Sequence, residues 1–168
     1  MEGPRMGGAV ARQIGLVAAP RARRGGILQA REQFDASPLF RRARDYCERV
    51  GMEWYVLSAT HGLLAPRQVI GDDDAAVQTF SAEQRLRWAL DIAACLDALS
   101  ARSGQSLSFT LLASQRYADL LRRAAPYLQL TTPLAGLDTS ARLRWFDERL
   151  RVRSRLLAPR VRPSDDPE

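Results

Sequence analysis

Short apolar runs of strand length alternate along this chain with stretches in which apolar residues recur at the spacing of a helix face. The run QIGLVAA, residues 13–19, ends at Pro20 and the charged RARRGG, the pattern of a buried strand followed by a loop. Ser37-Pro38 then opens a helix, with Ser as N-cap and Pro in the first turn, and Phe40, Ala43, Cys47 and Val50 keep one face apolar until Gly51. EWYVLSA, residues 53–59, is the second strand, and THGLLAP is its following turn. A polar stretch, GDDDAAVQ, leads to Ser81 with Gln84 three residues on, a capping box. The helix behind it runs to about Ser100 and carries Leu86, Leu90, Ala93, Leu96 and Leu99. SLSFTLLAS, residues 106–114, gives a third strand, QRYADLLRRAA a third helix, and YLQLT a fourth strand. TSARLRWFDERLRVRSRLL is a final helix, and APRVRPSDDPE reads as a disordered tail.

This alternation predicts an α/β fold, a three-layer sandwich with a mainly parallel four-stranded sheet, because parallel neighbours need crossover helices that cover both faces. One domain over residues 13–150 is expected, with a flexible N-terminus at 1–12 and a basic, then acidic, tail at 151–168. In such sheets ligands sit beyond the carboxyl ends of the strands, where strand order reverses. The residues predicted there are Ala18, Ala19 and Pro20; Ser58, Thr60 and His61; Ser114, Gln115 and Arg116; and Thr132, Pro133 and Gly136.

Charge sharpens the choice of partner. The 168 residues carry 25 basic and 19 acidic side chains, net +6, and every basic residue is Arg. A GC-rich coding sequence accounts for Arg in place of Lys. Contact with nucleic acid is the alternative reading of the excess, since guanidinium forks pair with phosphates and release counterions. Residues 1–31 hold Arg5, Arg12, Arg21, Arg23, Arg24 and Arg31 against Glu2 alone. No apolar stretch approaches the roughly 18 residues that span a bilayer, and the N-terminal segment lacks the unbroken apolar run of a signal peptide, so no membrane partner and a cytoplasmic location are expected. Cys47 and Cys95 lie in helical patterns that read as small-hydrophobe packing, and one histidine without a Cys-x-x-Cys pair supplies no zinc-ligand spacing. No cofactor is expected.

The segments AREQFDASPLFRRARDY, WYVLSATHGLLAP and TPLAGLDTSARLRW together resemble a small bacterial domain family of uncharacterised role, over about residues 13–147. The turn after the second strand is similar to the Leu-Ser-x-x-Tyr-Gly-Leu segment of peroxide-stress DNA-binding proteins and to a domain of archaeosine tRNA-guanine transglycosylases. These groups resemble the uracil-DNA-glycosylase type of α/β fold, which the resemblance implies here. Where that family has Gly-Cys-x-Lys-Lys after strand one, this chain has Val17-Ala18-Ala19-Pro20-Arg21. Its Pro-Tyr-Asp becomes Gly71-Asp72-Asp73-Asp74, which keeps a carboxylate and loses the aromatic.

The residues themselves offer a glycosidic chemistry. His61, at a strand end beside Gly62, could stabilise a departing base or bind phosphate, or cap its turn. Asp72 and Asp73 could position water at an anomeric carbon, as could Asp35, which is equally suited to cap the helix at Ser37. Ser37 with Arg41 at a helix start, Ser58, and Arg21, Arg23 and Arg24 are the candidate phosphate contacts. Ala19, Pro20, Gln115, Arg116 and Tyr117 are the candidate base pocket, with Tyr117 stacking and Gln115 reading an edge; a core role suits Tyr117 as well. The leading expectation is a DNA glycosylase-type hydrolase, acting on DNA in preference to RNA, that flips and removes a modified or damaged base in repair or anti-phage defence. A non-catalytic DNA- or RNA-binding stress protein and a nucleoside or nucleotide N-glycosidase acting on small molecules are the alternatives.

Overall fold

The computed structural model describes residues 10–71 and 79–157, with side chains as far as Arg151. In chain order the elements are β1 (Arg12–Ala18), β2 (Leu28–Gln29), α1 (Ala30–Gln33), α2 (Pro38–Arg49), β3 (Glu53–Ser58), β4 (Gly62–Leu64), β5 (Val69–Ile70), α3 (Ala82–Ser103), β6 (Leu107–Leu112), α4 (Gln115–Ala124), β7 (Leu130–Thr131) and α5 (Thr139–Leu157). The main sheet runs β4-β3-β1-β6-β7. β1 pairs in parallel with both β3 and β6, and β6 in parallel with β7.

The expected four-stranded sheet is therefore corrected to five. GLL, expected as part of a turn, folds back antiparallel onto β3 with Val56 opposite Leu64 and Ser58 opposite Gly62. Gly62 makes this possible, because its φ of 68° lies in the left-handed region that an L side chain rarely adopts. Leu64 then reaches the core at 1% exposure, which supplies the driving force. A second, two-stranded ribbon joins β2 to β5 antiparallel. The last helix has the bounds that its pattern predicts, and so it runs past residue 150 to Leu157.

Alternation along the strands sorts the core onto two faces. Ile14, Leu16, Leu57, Phe109 and Leu111 point to one side, under Trp88, Ile92 and Leu96 of α3 and Ala118 and Leu121 of α4. Val17, Trp54, Val56 and Leu112 point to the other, under Phe40, Ala43 and Cys47 of α2 and Phe146 of α5. Helices thus cover both faces of the sheet. Caps set where the helices begin and end. The Ser37 hydroxyl accepts from the Phe40 amide at 3.3 Å. Ser81 and Gln84 close the predicted capping box at 3.1 and 2.8 Å, and Gly104, with φ 62°, ends α3.

Candidate functional site

The chain leaves β1 for β3 on one side and then crosses to β6 on the other, so strand order reverses around β1. The topology singles out the loops at the carboxyl ends of these strands as the place where a ligand would sit. Ala19 carries the pairing one residue past β1, its amide donating to the Leu57 carbonyl at 2.9 Å. Pro20, half-buried, then releases the chain into the arginine loop.

That loop is held by a residue the sequence did not single out. Gln33 is 1% exposed. Its side-chain oxygen accepts from the Gly25 amide at 2.8 Å, while its amide donates to the carbonyls of Gly26 at 2.9 Å and Gly71 at 3.4 Å. The Gln33 carbonyl also accepts from the Arg24 amide at 2.8 Å. One buried amide therefore joins the loop after β1 to the residue preceding Asp72. Asp35 stands beside it, with one carboxylate oxygen 3.6 Å from Arg24 and 3.5 Å from Arg44. A carboxylate shared by two guanidiniums fixes the loop to α2, and that anchoring is the task its surroundings give Asp35. It does not cap α2; Ser37 does.

The expected phosphate contacts differ in exposure and in partners. Ser58 is 2% exposed, and its hydroxyl accepts from the His61 amide at 3.1 Å, so it holds its own turn and is closed to a ligand phosphate. His61 stands exposed on the β3–β4 turn. Ser37 spends its hydroxyl on the cap, whereas the Arg41 guanidinium is exposed and makes no hydrogen bond or ion pair among the described residues. Arg21 is exposed as well. Arg23 is half-buried, and its Nε donates to the Arg21 carbonyl at 3.4 Å.

On the other side of β1, the proposed base pocket is partly core. Tyr117 is 7% exposed and meets Trp88 edge-on at 5.9 Å; burial raises its phenol above the ordinary value. A ring so packed forms a wall and is not free to stack on a base. Trp88 in turn donates to the Ser58 carbonyl at 2.9 Å, which ties α3 to the turn bearing His61. Gln115 bonds Asp119 on its own helix at 2.7 Å. Arg116 is exposed and unpaired among the described residues, and it lines a cleft of about 540 Å³ with Arg85, Ser114, Tyr117, Asp119, Leu120 and Arg123. The sequence reading passed over Arg123, although its spacing from Arg116 and Leu120 places all three on one helix face. Arg85 joins them only through the packing of α3 on α4, which no local pattern announces.

Asp72 and Asp73 lie outside the described residues, so the structure assigns them no geometry. Among the described residues, no group of three or more His, Cys, Asp or Glu side chains is arranged to hold a metal ion. No helix of the described residues is long and apolar enough to cross a membrane.

Residues 14–148 match the model of DUF6884, described as a family of unknown function. No curated protein and no solved structure matches the chain.

Proposed function

The chain belongs to the DUF6884 family, whose match spans the folded unit from β1 into α5, and because that family carries no assigned function we propose from the site itself that the protein binds nucleic acid, DNA in preference to RNA, across the carboxyl ends of its strands. The observation that carries this reading is the sorting of the arginines. Arg12, Arg31, Arg42 and Arg44 are each engaged by a carboxylate: Glu53, Glu48, Asp147 and Asp35 respectively. Arg21 after β1, Arg41 in the first turn of α2 and Arg116 in the first turn of α4 are exposed, and their guanidiniums make no hydrogen bond or ion pair among the described residues, as is also true of Arg67, Arg102 and Arg144 elsewhere on the surface. Guanidiniums left without an internal partner are available to phosphates.

Base removal by N-glycosidic cleavage is the second reading. What favours it is His61, exposed on the turn that Trp88 fixes to α3, together with the Gln33 clamp that holds Gly71 beside the arginine loop. A base flipped into the rim would leave with His61 stabilising it, while an aspartate orients water. The uracil-DNA-glycosylase-like resemblance points the same way. Ser58 and Asp35 contribute to architecture in both readings, which is why binding stands first.

One experiment separates the two. Purified protein is incubated with duplexes containing uracil, alkylated bases or phage-type hypermodified bases, alkali then cleaves abasic sites, and binding is measured on the same duplexes. Binding that weakens steeply with salt, without strand breaks, is the expected result. Breaks that vanish in His61→Ala or Asp73→Asn would make the protein a glycosylase, and absence of binding at low salt would overturn both readings.

A further inference from the structure

The cleft between the start of α3 and the outer face of α4 shares Arg116 with the strand-end rim and extends from it along α4, and its lining is strongly one-sided. Arg116 and Arg123 are seven positions apart on α4, two helical turns, so their guanidiniums project from one face about 10 Å apart along the axis. Arg85 faces them from the first turns of α3, with its Nε donating to the Phe80 carbonyl at 3.0 Å and its terminal nitrogens left for another acceptor. The Arg116 and Arg123 guanidiniums make no hydrogen bond or ion pair among the described residues. The cleft contains one carboxylate, Asp119, and an oxygen of it already accepts from Gln115 at 2.7 Å. Tyr117 and Leu120 give it an apolar wall. At about 540 Å³ the space falls within the usual range for a small ligand.

We propose that this cleft is a phosphate-binding subsite that takes a nucleotide phosphate, with Arg85, Arg116 and Arg123 as its ligand-contacting residues. Three cations around one partly occupied carboxylate leave a surplus of positive charge that favours an anion, and a phosphate offers forked guanidiniums the geometry they match. Packing against Leu120 and the Tyr117 wall suits the sugar and base carried by a nucleotide phosphate better than an inorganic ion. The source is either a phosphodiester of a bound strand or a free mononucleotide. The first source rests on the nucleic-acid reading, for which the cleft would extend the rim along α4.

The test compares Arg116→Ala/Arg123→Ala with Arg122→Ala/Arg144→Ala, which removes the same charge from exposed positions outside the cleft. Affinity for a 20-nucleotide single strand is measured against salt for the wild type and both variants. Loss of two phosphate contacts flattens the slope of log affinity on log salt by about 1.4 in the cleft variant and leaves the control pair nearer wild type. Equal slopes in the two variants would reduce the cleft to general charge and overturn the proposal. In a second arm, inorganic phosphate and adenosine 5′-monophosphate are titrated while the arginine Nε–H signals are followed by NMR. Shifts of Arg116 and Arg123 with the nucleotide but no strand binding would keep the subsite, assign it to free nucleotide and remove the nucleic-acid reading. Strand binding unaltered in the cleft variant, with no shift in either titration, would keep the nucleic-acid reading and remove the subsite.

Discussion

At Gly15, in the middle of β1, the sheet and α2 come closer than any side chain would allow. A Cβ there would stand 2.9 Å from the Cys47 sulfur and 3.1 Å from the Trp54 Cβ, both core atoms. Gly15→Ala is therefore expected to destabilise the fold by about 1–3 kcal/mol, seen as a lower denaturant midpoint with unchanged slope. An unchanged midpoint would mean that α2 gives way. The same contact governs the chemistry of Cys47. It is fully buried, and its thiol is pushed up to about 12, first by burial and then by Glu48. Because the thiolate is the reactive form, a thiol reagent at pH 8 should modify exposed Cys95 and spare Cys47 until the protein unfolds. Two fast-reacting thiols in the native protein would show that the α2 packing opens. Cys47 accordingly acts as a small hydrophobe, whereas Cys95, in an equally helical pattern, stands exposed on α3.

At the scale of elements, what the sequence made legible was whatever one segment determines alone. The capping box at Ser81 and Gln84, the Ser37 cap and the span of α5 each depend on neighbours within a turn or two, and each is present as the pattern predicts. β4 was not legible, because three residues show no period and their strand identity comes from pairing with β3. Much of the site is hidden for a similar reason. Gln33 looks like any polar residue in AREQFD, and its role follows only when Gly25, Gly26 and Gly71 converge on it. Gln33→Ala removes those bonds from a buried position and should cost about 1–3 kcal/mol. Hydrogen exchange is the sharper readout: protection is expected to fall at Arg24 and Gly25 while β1 and β6 stay protected. Unchanged exchange at the loop would show that the Arg24–Asp35 pair suffices to hold it. His61 and Arg116 were found at the strand ends because parallel topology alone places loops there, whereas Ser58 and Tyr117 lie at those same ends and face inward, which depth in the fold decides and spacing does not.

For the molecule as a whole, the excess of arginine and the order of the strands act together. The net charge of +6 favours encounter with any polyanion, so salt dependence belongs to the surface in general, and only the contrast between matched variants assigns it to one place. Strand order has a different consequence, one that concerns the growing chain. β1 precedes the other strands yet ends in the middle of the sheet, and the partner for one of its edges, β6, is about two thirds of the domain away in sequence, with Arg12 opposite Leu107. During synthesis β1 and β3 can pair early, but the β6-facing edge of β1, Ile14 to Val17, stays an open row of backbone donors and acceptors until the last third of the domain emerges. A ribosome that pauses before β6 would thus hold out an unpaired apolar edge to neighbouring chains, and a circular permutant that begins at α3 would bring β6 and β1 closer in time and shorten that exposure.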